Sequence, residues 1–470
     1  MRSVRDNERL QGRRVAIIGG SIAGLLAARV LSDHFDEVTI IERDQLPRGA
    51  EERKGVPQAR HAHALLARGL DVLAQLFPGI LEDLAREGAE RVDFGTDIRW
   101  QYFGTWKLRF PSGIVCLFQS RNLLEAAVRR RVLELPNVRL RDGCRAAGFA
   151  ASPCGRKVAG VRVEARGADE VIPADLVVDA SGRGSRTPSW LEALGYSAPE
   201  ESAVKVHVGY ASRVYRRPPP LPLTNPAHRP WKVLYIIGTP PNSRSIGVLF
   251  PIEGNRWQVT LGGLLRDYPP DDEAGFLEYA RRLPSDELYR ALRTAEPLTD
   301  IVNHRFPSHL RRRYERMARM PEGLVVMGDA LCSFNPIYGQ GMTTGALSAM
   351  TLGRCLREQR RTRGPGSLEG LAPMFQEKVA HVIDTPWQLA TGEDLRFPEV
   401  EGERPRTLPL MNWYVEQVHA ICGYDPDVMA RFYRVQHMLT GPGALFHPRI
   451  ALAVLRRQLG LDRQPAALGL

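Results

Sequence analysis

Of the 470 residues only six are cysteine. Cys116, Cys144, Cys154, Cys332, Cys355 and Cys422 form no Cys-x-x-Cys pair and no metal-ligand spacing, which excludes a zinc module and a disulfide framework. Reduced thiols in a cytoplasmic protein are expected. No apolar run approaches the length needed to span a bilayer, so an integral membrane protein is not expected. The opening "MRSVRDNERLQGRR" is too polar for a secretory leader. Acidic residues are the scarcer charge, 53 against 64 basic, for a net charge of +11. The basic residues are mostly arginine, scattered and interleaved with acids. With no polybasic block carrying aromatics, nucleic-acid binding is not expected, and an anionic cofactor accounts better for the excess. No internal repeat is visible.

What is present is ordinary globular material, 43% hydrophobic and 25% charged, in a chain long enough for one large or two interlocked domains. "RVAIIGG" is a short buried run, "SIAGLLAARVLSDHF" has helical spacing, and "EVTIIE" is a second apolar run closed by an acid. Together they spell strand, tight turn, helix and parallel strand. "LPRGAEERKGVPQARHAHALL" begins as a polar loop and passes into an amphipathic helix that stops at Pro78 and Gly79.

From Asp97 the texture becomes β. "DIRWQYFGTWKLRF" alternates around Gly104 like a hairpin, and "SAVKVHVGYASRVYRR", "WKVLYIIGT", "SIGVLFPI" and "RWQVTLGG" follow as strands. "SRNLLEAAVRRRVLEL" is a helix between them, while "ADLVVDASGRGS" and "EGLVVMGDA" return to the buried parallel-strand pattern. The Pro-rich "RRPPPLPLTNPAHRP" is a loop within the sheet region. Residues 366–470 are mainly helical, with breaks expected at Pro386, Pro398 and Pro442.

Two constellations carry chemistry. In the first, Gly19, Ser21 and Gly24 stand against the pattern G-x-G-x-x-G, with serine as the smallest polar substitute at its middle glycine. Gly19 permits the turn and Gly24 lets helix and strand approach. The helix start through Ile22 and Ala23 offers free N–H groups to a pyrophosphate. Glu42 closes the next strand, where a carboxylate can accept from a ribose, and Arg43 follows it.

The second constellation is "GDALCSFNPIYGQGM". Gly328 and Asp329 end the strand "LVVM", so the carboxylate projects where ligands bind parallel sheets and suits a polyol chain. Pro336, Gly339, Gly341 and Met342 shape a loop whose N–H groups would lie against a flat heteroaromatic ring.

"GGSIAG…E", "DLVVDASGRGS" and "GDALCSFNPIYGQGM" occur in the order found in single-component flavoprotein monooxygenases of the para-hydroxybenzoate hydroxylase type, which this chain resembles over roughly its first three quarters. "RKGVPQARHAH", "DASGRGS" and "FNPIYGQGM" look most like the epoxidases of polyether-antibiotic biosynthesis, of the monensin and lasalocid type. The fold this implies is α/β: a Rossmann-like FAD-binding domain, an inserted antiparallel β-sheet substrate domain and a helical C-terminal region. The FAD domain would comprise residues 1–95, 121–200 and 301–365. The substrate sheet would take 96–120 and 201–300, and the helical region 366–470.

The resemblance further implies FAD as cofactor, with pyrophosphate at Gly19, Ser21 and Gly24, ribose at Glu42 and the ribityl chain at Asp329. It puts Arg121 toward FAD, although a solvated arginine at a helix start is the plainer alternative. NADPH or NADH would be co-substrate. The middle motif departs from the family form, having Ser181 before Gly182 where Asp-Gly is usual, and serine supplies no charge. That bears on reduction by nicotinamide.

With flavin chemistry no side-chain nucleophile is needed: oxygen adds at the C4a carbon and its distal atom passes to an electron-rich, polyketide-like alkene, giving an epoxide, or to a ring, giving an alcohol. The pocket must be dry, and Trp100, Tyr102, Phe103, Trp106, Tyr210, Tyr235 and Phe250 are candidate walls, or else plain core. His61 and His63 are candidate acid–base groups, or structural. Arg53 and Lys54 suit phosphate or loop closure, and Cys332 reads as a packed thiol.

Two other activities stay open: a flavin-containing non-redox cyclase of polyenes, and a flavin reductase resembling those of geranylgeranyl chains. The expected partners are a hydrophobic small molecule and O2, in a monomer or homodimer. The C-terminal "GALFHPRIALAVLRRQLGL", with Arg456 and Arg457, would pack on the FAD domain, cover the pocket, form a subunit contact or meet a membrane surface.

Overall fold

A computed structural model describes residues 12–165, 168–219 and 230–461. The expected polar N-terminus and most of the Pro-rich loop lie outside the described residues.

The strand Gly12–Ile18 forms because Val15, Ala16, Ile17 and Ile18 are all apolar and all buried, as a strand covered on both faces requires. It lies at the centre of a five-stranded parallel sheet. On one side stand Phe35–Ile41 and Val138–Arg141, on the other Leu176–Asp179 and Leu324–Val326. The helix Ile22–Leu31 crosses between the first two of these strands and packs against the long helix Gly341–Arg363.

The second layer is an eight-stranded sheet. Its spatial order is Cys332–Ser333, Val302–Arg312, Glu201–Arg216, Arg256–Gly263, Ser245–Ile252, Val233–Ile237, Ile98–Tyr102 and Thr105–Trp106. Neighbours are antiparallel except Val233–Ile237 and Ile98–Tyr102, which run parallel. The expected hairpin turns at Gly104, whose φ of +65° suits glycine.

Alternation along these strands builds two different faces. Leu234, Ile236, Leu249 and Leu261 pack under the helices Glu273–Arg281 and Glu287–Leu292. Tyr235, Ile246, Val248 and Phe250 turn the other way, toward the parallel sheet.

Three details differ from the sequence expectation. The strand Val302–Arg312 pairs with Glu201–Arg216, so a boundary at 301 would cut the large sheet. A small antiparallel sheet of Arg145–Ala151, Val158–Ala165 and Ala168–Pro173 stands within the stretch expected to be nucleotide-binding. The helix Leu371–Asp394 runs through Pro386. Proline there forfeits one main-chain hydrogen bond, but Ile383, Pro386 and Ala390 are all buried, and that packing holds the helix together. This helix lies along Gly341–Arg363, whereas Pro448–Gln458, the helix of "GALFHPRIALAVLRRQLGL", packs on Leu408–Ile421 and the turn Pro442–Phe446. No helix among the described residues is long and apolar enough to cross a membrane.

Candidate cofactor and substrate site

A cavity of about 490 Å³ runs between the two sheets, within the range of roughly 300–1,000 Å³ common for cofactor and small-molecule sites. One end is made by the first glycine turn. Gly19 has φ +109°, and a Cβ there would fall 2.4 Å from the carbonyl oxygen of Ala180. A Cβ on Gly24 would fall 1.9 Å from the Gly19 oxygen, so glycine at 24 is what lets the helix sit on the strand end. Gly24 therefore shapes the site without facing the cavity, while Gly19, Ser21, Ile22 and Ala23 line it.

Around this turn lies a buried ion cluster. The Ser21 hydroxyl donates to Glu125 Oε2 at 2.8 Å and accepts from Arg121 at 2.8 Å. Glu125 also stands 2.9 Å from both Arg121 and Arg53. Burial alone would raise the Glu125 carboxyl, but Arg121 and Arg53 hold it below the ordinary range. Arg53 reaches Glu42 at 3.3 Å and Asp44 at 3.2 Å, and Glu42 accepts from the main-chain N–H of Gly20 at 2.7 Å. Arg121, Arg53, Glu42 and Arg43 all line the cavity. Lys54, by contrast, is exposed and outside its lining. Arg121 is 7% exposed and ion-paired, so it is not a solvated helix-start arginine. Glu125 was not anticipated, although its place four residues after Arg121 on the helix Arg121–Leu133 is a local signal.

The middle of the cavity is the second constellation. Asp329 opens into it with its side chain exposed to the cavity space, and the protein that encloses that space raises its carboxyl to about 6, with Arg183 and Arg121 opposing. Gly341 is placed so that a Cβ would meet Asp329 Oδ1 at 3.7 Å. Gly328, Pro336, Gly339 and Met342 complete this wall, and Gly341 opens the 23-residue helix whose first N–H groups have no partner within the helix. Cys332 is 2% exposed and is not among the residues that line the cavity, as suits a packed thiol.

Ser181 and Gly182 also reach the cavity, but the serine is not free. Its main-chain N–H and its hydroxyl both donate to Asp179 Oδ1, at 2.9 and 2.6 Å. Asp179 is fully buried and takes further hydroxyl donors from Ser185 and Thr187 on its other oxygen. The negative charge near this motif is thus two residues earlier and turned inward.

The far end is the sheet face. Tyr235, Ile246, Val248 and Phe250 give an apolar wall, with Tyr210 beside them. The other four aromatic candidates lie elsewhere. Trp100, Tyr102 and Phe103 cluster with His419, and Trp100 also with Phe432 and Tyr433, while Trp106 lies under the Arg99 guanidinium. Trp100 and Tyr102, two residues apart on the strand Ile98–Tyr102, share one face; the C-terminal helices, not the cavity, cover it.

His61 and His63 line the cavity with His304. Burial, reinforced by His304 and His63, lowers His61 to about 3. Burial and Arg121 lower His63 to about 4. Both rings are neutral near pH 7. His63 Nδ1 lies 2.9 Å from the His61 carbonyl, which can only accept, so Nδ1 carries the proton. His61 Nδ1 lies 2.7 Å from Ser212 Oγ, itself 2.6 Å from Thr260 Oγ1.

These residues fit FAD. Main-chain donors at the start of the helix Ile22–Leu31 and the Arg121 guanidinium would hold the pyrophosphate. Glu42 and Asp329 would accept from ribose and ribityl hydroxyls, and the glycine cradle would admit the ring. Among the described residues no cluster of metal ligands occurs.

Comparison with known proteins bears on the fold and the family. Protein Rv3254 of Mycobacterium tuberculosis is 35% identical over 411 residues, which are 85% of this chain and 82% of that one. Among solved structures, the flavin-dependent brominase Bmp2 is similar at TM-score 0.66 and 14% identity, over 97% of this chain and 100% of that one. PqsL of Pseudomonas aeruginosa, described as a probable FAD-dependent monooxygenase, is similar at TM-score 0.59 and 17% identity, over 82% and 98%. At such identities the two structures share the fold with this chain, and no more is taken from them. Residues 13–372 match the FAD binding domain model, and this chain accordingly belongs to the FAD binding domain family of flavoproteins.

Proposed function

We propose that the protein is an FAD-dependent monooxygenase of a hydrophobic, electron-rich small molecule, with NADPH or NADH as reductant. One atom of O2 enters the substrate, the other leaves as water, and the nicotinamide supplies the two electrons. The substrate class is an extended alkene or ring of polyketide type, and the product an epoxide or an alcohol, as in the polyether epoxidases that the motifs resemble. Bound and reduced, FAD supplies the activation of O2.

The chain's own residues bind, orient and exclude water. The Gly19–Ala23 turn and Arg121 would hold the phosphates, Asp329 the polyol, and the Pro336–Met342 loop the ring. The observation that carries the reading is the continuity of the cavity from that loop to the apolar face of Tyr235, Ile246, Val248 and Phe250. A substrate lying on that wall would meet the ring in a space poor in water, which protects a reactive oxygen donor from hydrolytic loss. The neutral His61 and His63 suit hydrogen bonding to a polar group on the substrate rather than binding of an anion.

The deciding experiment is turnover with NADPH under labelled oxygen gas, using a panel of polyenes and electron-rich aromatics. Incorporation of one labelled atom supports monooxygenation. A product of unchanged mass would replace it with a non-redox cyclase, a gain of two hydrogens with a reductase, and halide incorporation with a halogenase.

A further inference from the structure

Behind the flavin-facing loop a buried polar network runs from Tyr210 and Asn335 at the cavity wall to His309 and Asp394 behind it, and joins three distant parts of the chain. Asn335, the residue before Pro336, has no exposed surface, and neither has His309; Asp394 is 2% exposed. The main-chain N–H of Asn335 donates to His309 Nδ1 at 3.2 Å. That nitrogen must be unprotonated, so the imidazole proton sits on Nε2, 2.6 Å from Asp394 Oδ2. Asp394 Oδ2 also accepts from Asn335 Nδ2 at 3.0 Å, and Oδ1 accepts from the Tyr338 hydroxyl at 2.6 Å. The remaining polar atom of the amide, Asn335 Oδ1, accepts from Tyr210 at 2.5 Å.

The side-chain polar atoms of Asn335 are thereby fixed by Tyr210, on one strand of the large sheet, and by Asp394, at the last turn of the helix Leu371–Asp394, while His309 on the next strand holds its main-chain N–H. The next residue back, Glu393, accepts from Tyr102 at 2.6 Å, which fastens the same helix end to the hairpin.

The geometry points to Asp394 and His309 as positioning residues that set the loop Asn335–Met342 in the shape that receives the flavin ring. The inference rests on FAD occupying the cavity. Neither residue lines the cavity, and Asp394 lies beyond residue 372, where the family match ends. With Asp394→Asn, the carboxamide oxygen can still accept from the imidazole and from Asn335, but its N–H2 then meets the Tyr338 hydroxyl, which must turn round to accept. The change takes the charge out of all three hydrogen bonds, and the weaker neutral bonds hold the loop less firmly.

The test is FAD titration of the full-length apo-protein, wild type against Asp394→Asn and His309→Gln, reading the dissociation constant and the visible absorption spectrum of the bound flavin. Folding is monitored by circular dichroism and thermal unfolding. We expect FAD affinity to fall about tenfold, equivalent to about 1.4 kcal/mol, with a shifted flavin band, in variants that stay folded. If Asp394→Asn does not fold, Tyr338→Phe and Tyr210→Phe each remove one peripheral hydroxyl and read the same two quantities, with a smaller effect in the same direction. Asp394→Glu keeps the charge and should recover part of the affinity. Variants that lose thermal stability yet bind FAD with unchanged affinity and spectrum would show a merely structural network and overturn the inference. A wild type that takes up no FAD would instead sink the proposed function.

Discussion

Glu125 accepts the hydroxyl proton of Ser21 at 2.8 Å, which puts a carboxylate beside the turn where an anionic pyrophosphate would lie. The charge balances two arginines: Arg121 and Arg53 both reach Glu125 at 2.9 Å, in side chains only 7% exposed. Removing one partner of such a cluster leaves buried charge uncompensated, at a cost of about 3 kcal/mol. Glu125→Ala is therefore expected to lower the unfolding temperature of the apo-protein. Because added pyrophosphate would resupply the missing negative charge, the rise in that temperature on adding FAD should be larger in the variant than in the wild type. Thermal unfolding with and without FAD checks both, and an equal or smaller rise would contradict the placement of the pyrophosphate.

Gly24→Ala tests the turn sterically. The added methyl would fall 1.9 Å from the Gly19 oxygen, so helix and strand must part. Overpacking of this kind costs about 1–3 kcal/mol or more. The outcome expected is lower stability in chemical denaturation together with loss of FAD retention.

For Asp329 the expectation concerns pH. Its carboxyl is raised to about 6 from an ordinary 3.8. A raised folded value means that its contribution to apo stability is fully present below the unfolded value and is lost as pH rises through about 6. Hydroxyl donors on a ligand favour the ionised form, so FAD affinity should weaken as pH falls through that range. Asp329→Asn should flatten both slopes and bind FAD about tenfold more weakly, the loss of one hydrogen bond to a charged group. Titrations at several pH values measure it.

The histidines give a prediction of absence. His61, at about 3, and His63, at about 4, stay neutral across the working range. The pH profile of turnover should then lack the inflection near about 6.5 that an ordinary histidine gives. An inflection there, abolished by His61→Gln or His63→Gln, would show that substrate or cofactor restores their basicity.

The dinucleotide turn, the strand-end acid Glu42 and the loop after Asp329 were legible in the sequence because their chemistry is local. A glycine at a forced φ and an acid closing a buried strand declare themselves within a few residues. What was not legible joins positions far apart. His309 meets Asp394 across 85 residues, and His61 meets Ser212 across 151; no periodicity records such pairs. The aromatic wall was half visible for the same reason. Alternation tells that Trp100 and Tyr102 share a face, but only the C-terminal helices decide that this face is covered, leaving Tyr235 and Phe250 to the cavity. Pro386 misled because a proline signal is weighed without the packing that overrides it.

The parallel sheet draws its outermost strand, Leu324–Val326, from far along the chain, long after Gly12–Ile18 has been made. During synthesis the strand Leu176–Asp179 must wait with an open hydrogen-bonding edge while nearly 150 more residues emerge, roughly ten to thirty seconds at usual translation rates. A newborn chain of this protein is thus exposed to mispairing for about a third of its production, and lower growth temperature or chaperone supply should decide how much of it reaches the soluble fraction.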